Sequence, residues 1–121
     1  MGLLDTKEYT VATVLAATAA GQITQAKYWN YSTSQYQDTA PTNVPFGQTV
    51  GACVYGQNSG AANQSMYFVL TLKRPDGTTK KTITSTAVTV TPGSLMYTEI
   101  TDTSDQAGTW KVEGKLYGDV I

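Results

Sequence analysis

Histidine is absent from the 121 residues, cysteine occurs once, and Asp, Glu, Lys and Arg together make up only 14%, against roughly a quarter in an average domain. Without histidine there is no Ser-His-Asp or Cys-His nucleophile and no His-ligated zinc. One cysteine, Cys53, excludes an internal disulfide and any Cys-rich zinc or iron–sulfur site. It stands in an alternating run beside Val54 and is expected to be a small buried hydrophobe. The net charge is -1, so no basic field exists to collect nucleic acid or an anionic membrane surface. Lys73 and Arg74 with Lys80 and Lys81 form the one cationic cluster, expected to be a solvated hairpin. No phosphate-cradling glycine loop of the P-loop or dinucleotide type is present. Of the acids, Asp76, Asp102 and Asp105 are the best placed to cluster. Asp102-Thr103-Ser104-Asp105 offers oxygens suited to calcium but matches no calcium loop, and Asx- and ST-turns account for those residues equally well. The expectation is a protein with no catalytic residues, no cofactor and no metal.

Long hydrophobic runs are also lacking. Tyr9 to Ala26 carries no charge but is laced with Thr and Gln, too polar for a bilayer. Residues 10–20 have the small residues of a secretory signal core, yet Asp5, Lys7 and Glu8 replace the positive region such a signal needs. Gly2 to Thr6 fits the loose myristoylation pattern, and Met1 in front of it argues against that use.

What the chain has is Thr, Ser, Gln, Asn and eight Tyr, with few strong helix formers. Thr and Tyr favour pleated, half-buried surfaces, and a polar, weakly charged skin is common in secreted domains and in virus shells. After residue 20 the chain divides into strands and turns. Ile23–Tyr31 is rich in aromatics. Residues 38–45 form a loop broken by Pro41 and Pro45. Gln48–Tyr55 alternates, with Val50, Ala52 and Val54 on one face. Residues 57–65 have loop composition. Met66–Leu72 is apolar on both faces, Phe68, Leu70 and Leu72 on one and Tyr67, Val69 and Thr71 on the other, so it is central or covered twice. Arg74-Pro75-Asp76-Gly77-Thr78 is a strong turn signal. Further strands are expected over 80–85, 87–90, 95–100 and 109–117, the last with Trp110, Val112 and Leu116 inward. This spacing, with no helical periodicity and no repeat, gives an all-β sandwich or barrel.

Three stretches carry a resemblance. PFGQTVGACVYGQNSG (45–60) is similar to a P-x-G-x-x-V-x-x-x-V-x-x-x-N-x-G strand pattern, YFVLTLKRPDGT (67–78) to a central strand and its turn, and DQAGTWKVEGKL (105–116) to an aGtWxVxxxl corner and strand. Together they resemble the immunoglobulin-like domains of bacterial and archaeal surface proteins and of viral capsid decoration proteins. The resemblance implies an immunoglobulin-like β-sandwich over residues 21–121 with an additional N-terminal strand or arm over 1–20, and no common active site. Against that pattern the chain lacks one edge strand after 109–117, while Tyr9–Ala20 is spare. That segment is expected to supply the missing edge, in cis or by insertion into a neighbour, or else to pack as an ordinary first strand or short helix. Burying Val11, Val14 and Leu15 would gain roughly 1.5–3 kcal/mol each.

The expectation for function is a structural assembly protein, foremost a virion capsid decoration or minor shell subunit, with protein partners (itself, a capsid lattice or both) in a homo-oligomer or larger assembly, and neither nucleic acid nor membrane. Its contact residues are expected to be Val11, Val14 and Leu15 in the arm and Tyr67 and Val69 on the strand face. A pilus-like filament subunit at the cell surface, joined by donor strands, is one alternative. A carbohydrate-binding module is another. There Tyr28, Trp29 and Tyr31 would be the ligand-contacting aromatics, although Tyr28 and Trp29 must point to opposite faces of a flat strand. Asn30-Tyr31-Ser32 and Asn63-Gln64-Ser65 match the N-glycosylation pattern.

Overall fold

The computed structural model describes residues 2–13 and 18–121. Eight strands follow in order: β1 (Gly21–Asn30), β2 (Gln35–Gln37), β3 (Thr49–Asn58), β4 (Gln64–Lys73), β5 (Thr79–Thr84), β6 (Val88–Val90), β7 (Leu95–Thr103) and β8 (Lys111–Val120). They form two antiparallel sheets of four strands. One has the order β2-β1-β3-β7; in the other, β4 is flanked by β8 on one side and by β5 and β6 on the other. The result is a β-sandwich-like all-β fold.

Period-two patterning explains the layering. In β4 burial alternates along the strand, with Met66, Phe68, Leu70 and Leu72 in the core and Tyr67, Val69 and Thr71 half-buried on the outer face. From the facing sheet Val54, Met96 and Ile100 meet them, and Val90 joins from β6. Cys53 is buried as expected, but on the opposite face of β3 from Val54.

Turn chemistry fixes the connections. Between β4 and β5, the Gly77 amide donates to the Arg74 carbonyl at 2.9 Å. Asp76 Oδ1 accepts from the Thr78 amide at 2.9 Å. Gly77 sits at φ +88°, a conformation that costs glycine least. Between β1 and β2, the Ser34 amide donates to the Asn30 carbonyl, and the Asn30 side chain accepts from the Ser32 amide. The three-residue β2 was not evident in the sequence. The region expected to be loop over 57–65 shrinks to residues 59–63, because β3 runs on to Asn58 and β4 begins at Gln64.

The sandwich has two unlike ends. Ladder register places Gly21, Asn58, Gln64 and Val120 at one end and Tyr28, Ala52, Leu72 and Val112 toward the other. At the first end the side chain of Asn58, fully buried, donates to the carbonyls of Val90 (2.7 Å) and Ala62 (2.9 Å). Its Oδ1 accepts from the Gly60 amide and from the buried Gln64 side chain, which also donates to the Ala20 carbonyl at 2.7 Å. Here the sheets approach through glycines. A Cβ on Gly56 would lie 2.8 Å from Phe68 Cζ, and one on Gly21 would lie 3.0 Å from Met66 Cε.

Candidate functional site

At the second end the two sheets part. β1 lies alongside β8 across the sandwich, and between them, under the loop 38–48 and the corner 104–110, lies a cleft of about 820 Å³. Its wall is built by the inward faces of three strands: Ala26 and Tyr28 of β1, Val50, Ala52 and Val54 of β3, and Val112 of β8, with Leu72 at the back. Phe46, 73% exposed, stands on the rim. Trp110 forms part of the wall and is only half-buried, so this inward residue belongs to the margin of the core and not to its centre. Among the described residues Lys111 is the one charged side chain on the lining.

Two polar anchors hold the rim. Ser104, buried, donates through its hydroxyl to the Gln48 carbonyl at 2.9 Å and accepts from the Gly47 amide at 3.0 Å, tying the loop 38–48 to the corner. Asp105 takes Arg74 Nε at 3.0 Å and Lys80 Nζ at 3.3 Å, while Asp76 accepts from the Gln106 amide at 2.8 Å. The Thr78 hydroxyl and the Gln106 amide beside Asp76 hold its carboxyl down to about 2, and Arg74 lowers that of Asp105. These acids are occupied in bracing turn 74–78 against the corner, and no cluster of three or more His, Cys, Asp or Glu side chains suited to a metal exists among the described residues.

The flank of the cleft is a bare sheet edge. β8 pairs with β4 along its whole length, Lys111↔Lys73 through Val120↔Gln64. No described residue pairs with its other edge, leaving the outward-directed backbone donors and acceptors of a ten-residue strand, those of every second residue, unclaimed by a neighbour. Its inward Val112, Leu116 and Val120 stay half-buried, and Ile23 opposite is 44% exposed.

A second surface lies on the outer face of the β1–β3–β7 sheet. Trp29 meets Tyr36 edge-on at 5.2 Å and Tyr55 packs on Tyr97 at 5.6 Å. Burial, with Glu99 nearby, pushes the Tyr36 hydroxyl up to about 12. Burial likewise raises the Cys53 thiol beneath this row.

The residues singled out in the sequence fall in different places. Tyr28 pairs with Ala52 and lines the cleft, Trp29 borders the same cleft while its ring packs on Tyr36 on the other face, and Tyr31 lies in the β1–β2 turn, so the three do not make one platform. Tyr67 stacks on Tyr117 at 5.1 Å on the outer face of the second sheet, with Val69 beside it between Thr84 and Lys115. Val11 is 96% exposed; Val14 and Leu15 lie outside the described residues. The cleft lining from 40–46 was missed, because a Pro-rich loop gives no sign of which surface it covers. The outer row was half visible: the Tyr28/Trp29 alternation gave the faces, while Tyr55 and Tyr97 join only through strand pairing. No protein-family model, no curated protein and no solved structure matches the chain.

Proposed function

We propose that this protein is a structural assembly subunit, an immunoglobulin-like domain that holds partners together and performs no catalysis. The single observation that carries this reading is the bare outer edge of β8 beside an apolar, open cleft. A long uncovered edge is an aggregation hazard unless something pairs with it, and the cleft lining offers apolar burial without chemistry.

The strand order supports the immunoglobulin-like assignment. In this reading β1, β3 and β7 correspond to strands A, B and E, and β4, β8 and β5 to C, F and C′. In that scheme strand G lies beside F, a position that no described residue fills at β8. The proposed setting is a virion, as a capsid decoration or minor shell subunit with copies of itself or a capsid lattice as partners. A filament at the cell surface is the second reading, favoured by the placement of the cleft and the N-terminal segment at opposite ends of the domain.

Light scattering of the full chain over a wide concentration range tests the reading. Masses above the 12.9 kDa monomer are expected, and Val112→Lys, which sets a charge in the cleft wall, is expected to return them to the monomer. A monomer at every concentration sinks the proposal.

A further inference from the structure

We infer that the occupant of the β8 edge and cleft is residues 9–18 of a second copy of this chain, entering from the open end and running antiparallel to β8. This rests on the assembly reading above and adds the partner, the segment and the direction.

Three observations converge on it. The first is where the segment leaves the domain. The Ala20 carbonyl accepts from the Ser59 amide at 3.1 Å and from the Gln64 side chain, and the Thr18 carbonyl lies against Gly60. Residues 18–20 therefore extend the line of β1 along loop 59–63, at the closed end of the sandwich. The cleft is at the other end, some eight residues of strand away, about 27 Å at the usual rise. To cover its own β8 edge the segment would have to leave these bonds, turn back and run parallel to β8, since β1 starts beside the C-terminal end of β8. Parallel pairing is the less stable arrangement. A segment from a neighbour stacked on the open end meets the same edge antiparallel, with no reversal.

The second is length and charge. β8 offers ten residues, Lys111–Val120, and Tyr9 to Thr18 is a ten-residue stretch without a charged side chain. The cleft lining it would face carries only Lys111 among the described residues. As a strand, residues 9–13 put Tyr9, Val11 and Thr13 on one face and Thr10 and Ala12 on the other; residues 14–17 enter here by sequence alone. The large face suits the open cleft and the small one a solvated or covered back.

The third is that residues 9–13 have no strand partner among the described residues and Tyr9 and Val11 are 78% and 96% exposed, an apolar surface that a partner would remove from water. The contact joins one surface to a different one, so it is heterologous and propagates into a filament or closes into a ring.

Complementing variants test this. Val11→Asp/Leu15→Asp in the full chain should destroy the donor and Val112→Lys the acceptor. Each alone is expected to be a folded monomer by light scattering and circular dichroism, and their mixture to give a 1:1 dimer and nothing larger. A peptide of residues 7–20, added to the donor variant, is expected to bind one to one and raise its Tm by about 10 °C at 100-fold above its Kd. This second readout holds even if the acceptor variant fails to fold. A donor variant that assembles as well as the wild type overturns the inference and leaves the assembly reading standing. A wild-type monomer whose donor variant melts lower, with no response to peptide, places the segment in cis and overturns both.

Discussion

The two ends of this sandwich solve the same problem, closing the gap between two sheets, with opposite materials. The closed end removes side chains: Gly21, Gly56 and Gly118 let Met66, Phe68 and Leu116 come close, and the neutral amides of Asn58 and Gln64 satisfy the backbone of three connections from within. The open end keeps its side chains but leaves a cleft between them, and braces its rim with Ser104 and charged pairs at the surface. A buried, fully bonded network ties one end together, and the space left there, beside Gly21, Gln64 and Leu116, is about 190 Å³. The other has unfilled contacts, which is where binding surfaces are found.

The largest effect is expected from breaking the closed end. Asn58→Ala strips partners from the Gly60 amide, the carbonyls of Ala62 and Val90, and the Gln64 amide in one step. Each buried group left unpaired carries its own desolvation cost, so a loss of about 3–4 kcal/mol is expected in urea unfolding. Gln64→Met keeps the volume and removes a single donor pair, and should cost roughly half as much. Equal small losses from both would mean that water replaces the network.

A matched pair of enlargements sharpens the contrast. Gly56→Ala puts a carbon 2.8 Å from Phe68 Cζ and 3.1 Å from Leu116, and should destabilise by about 1–3 kcal/mol through overpacking. Ala26→Leu adds three carbons to the cleft wall and is expected to be neutral or to stabilise by up to about 1 kcal/mol. The same substitution should weaken assembly by filling the space an incoming strand needs. Similar penalties at both sites in thermal unfolding would show that the cleft closes in solution.

The sequence exposed these two ends unequally. Strands β3, β4 and β8 were legible because alternation is a local property: Val50, Ala52 and Val54, or Phe68, Leu70 and Leu72, announce their shared face. Asn58 and Gln64 have loop composition, so the segment around them was taken as a long loop; they are buried only because every polar atom finds a partner from another connection. The N-x-G at the end of the 45–60 stretch was the available signal, since Asn58 caps the Gly60 amide. β2 is three polar residues with no alternation to detect, and its pairing follows from the turn before it. The cleft depends on the distance between two sheets, which no local pattern encodes; Trp110 looked like a core residue for that reason. The edge of β8 that no described residue pairs was expected from the resemblance alone, and the position of the cleft at the end opposite Ala20 had no signal at all.

The smallest effect, and the most specific, is pH dependence confined to one end. Asp76 is held down to about 2 from an ordinary 3.8, and Asp105 is lowered by Arg74 and Lys80. A carboxyl whose folded value is depressed adds stability above its unfolded value, and loses it as pH falls through the folded one. The brace on the open rim should therefore weaken between pH 3.8 and about 2, whereas the amides of the closed end have nothing to titrate. Hydrogen exchange compared across that range, after correction for intrinsic rates, should show residues 102–108 and 74–78 losing protection while Asn58, Gly60 and Gln64 keep theirs. Added salt should have the same sign at the rim, because exposed pairs are screened. At the alkaline extreme the outer aromatic row answers instead. Tyr36, raised to about 12, supports the fold while pH stays below its unfolded value near 10 and withdraws that support as pH rises through 12, so replacing it with Phe should remove the part of the tyrosinate absorbance that appears only toward pH 12. Loss of protection at both ends together in acid would mean that the sandwich opens as a single unit, and that the difference between its ends is one of shape and not of stability.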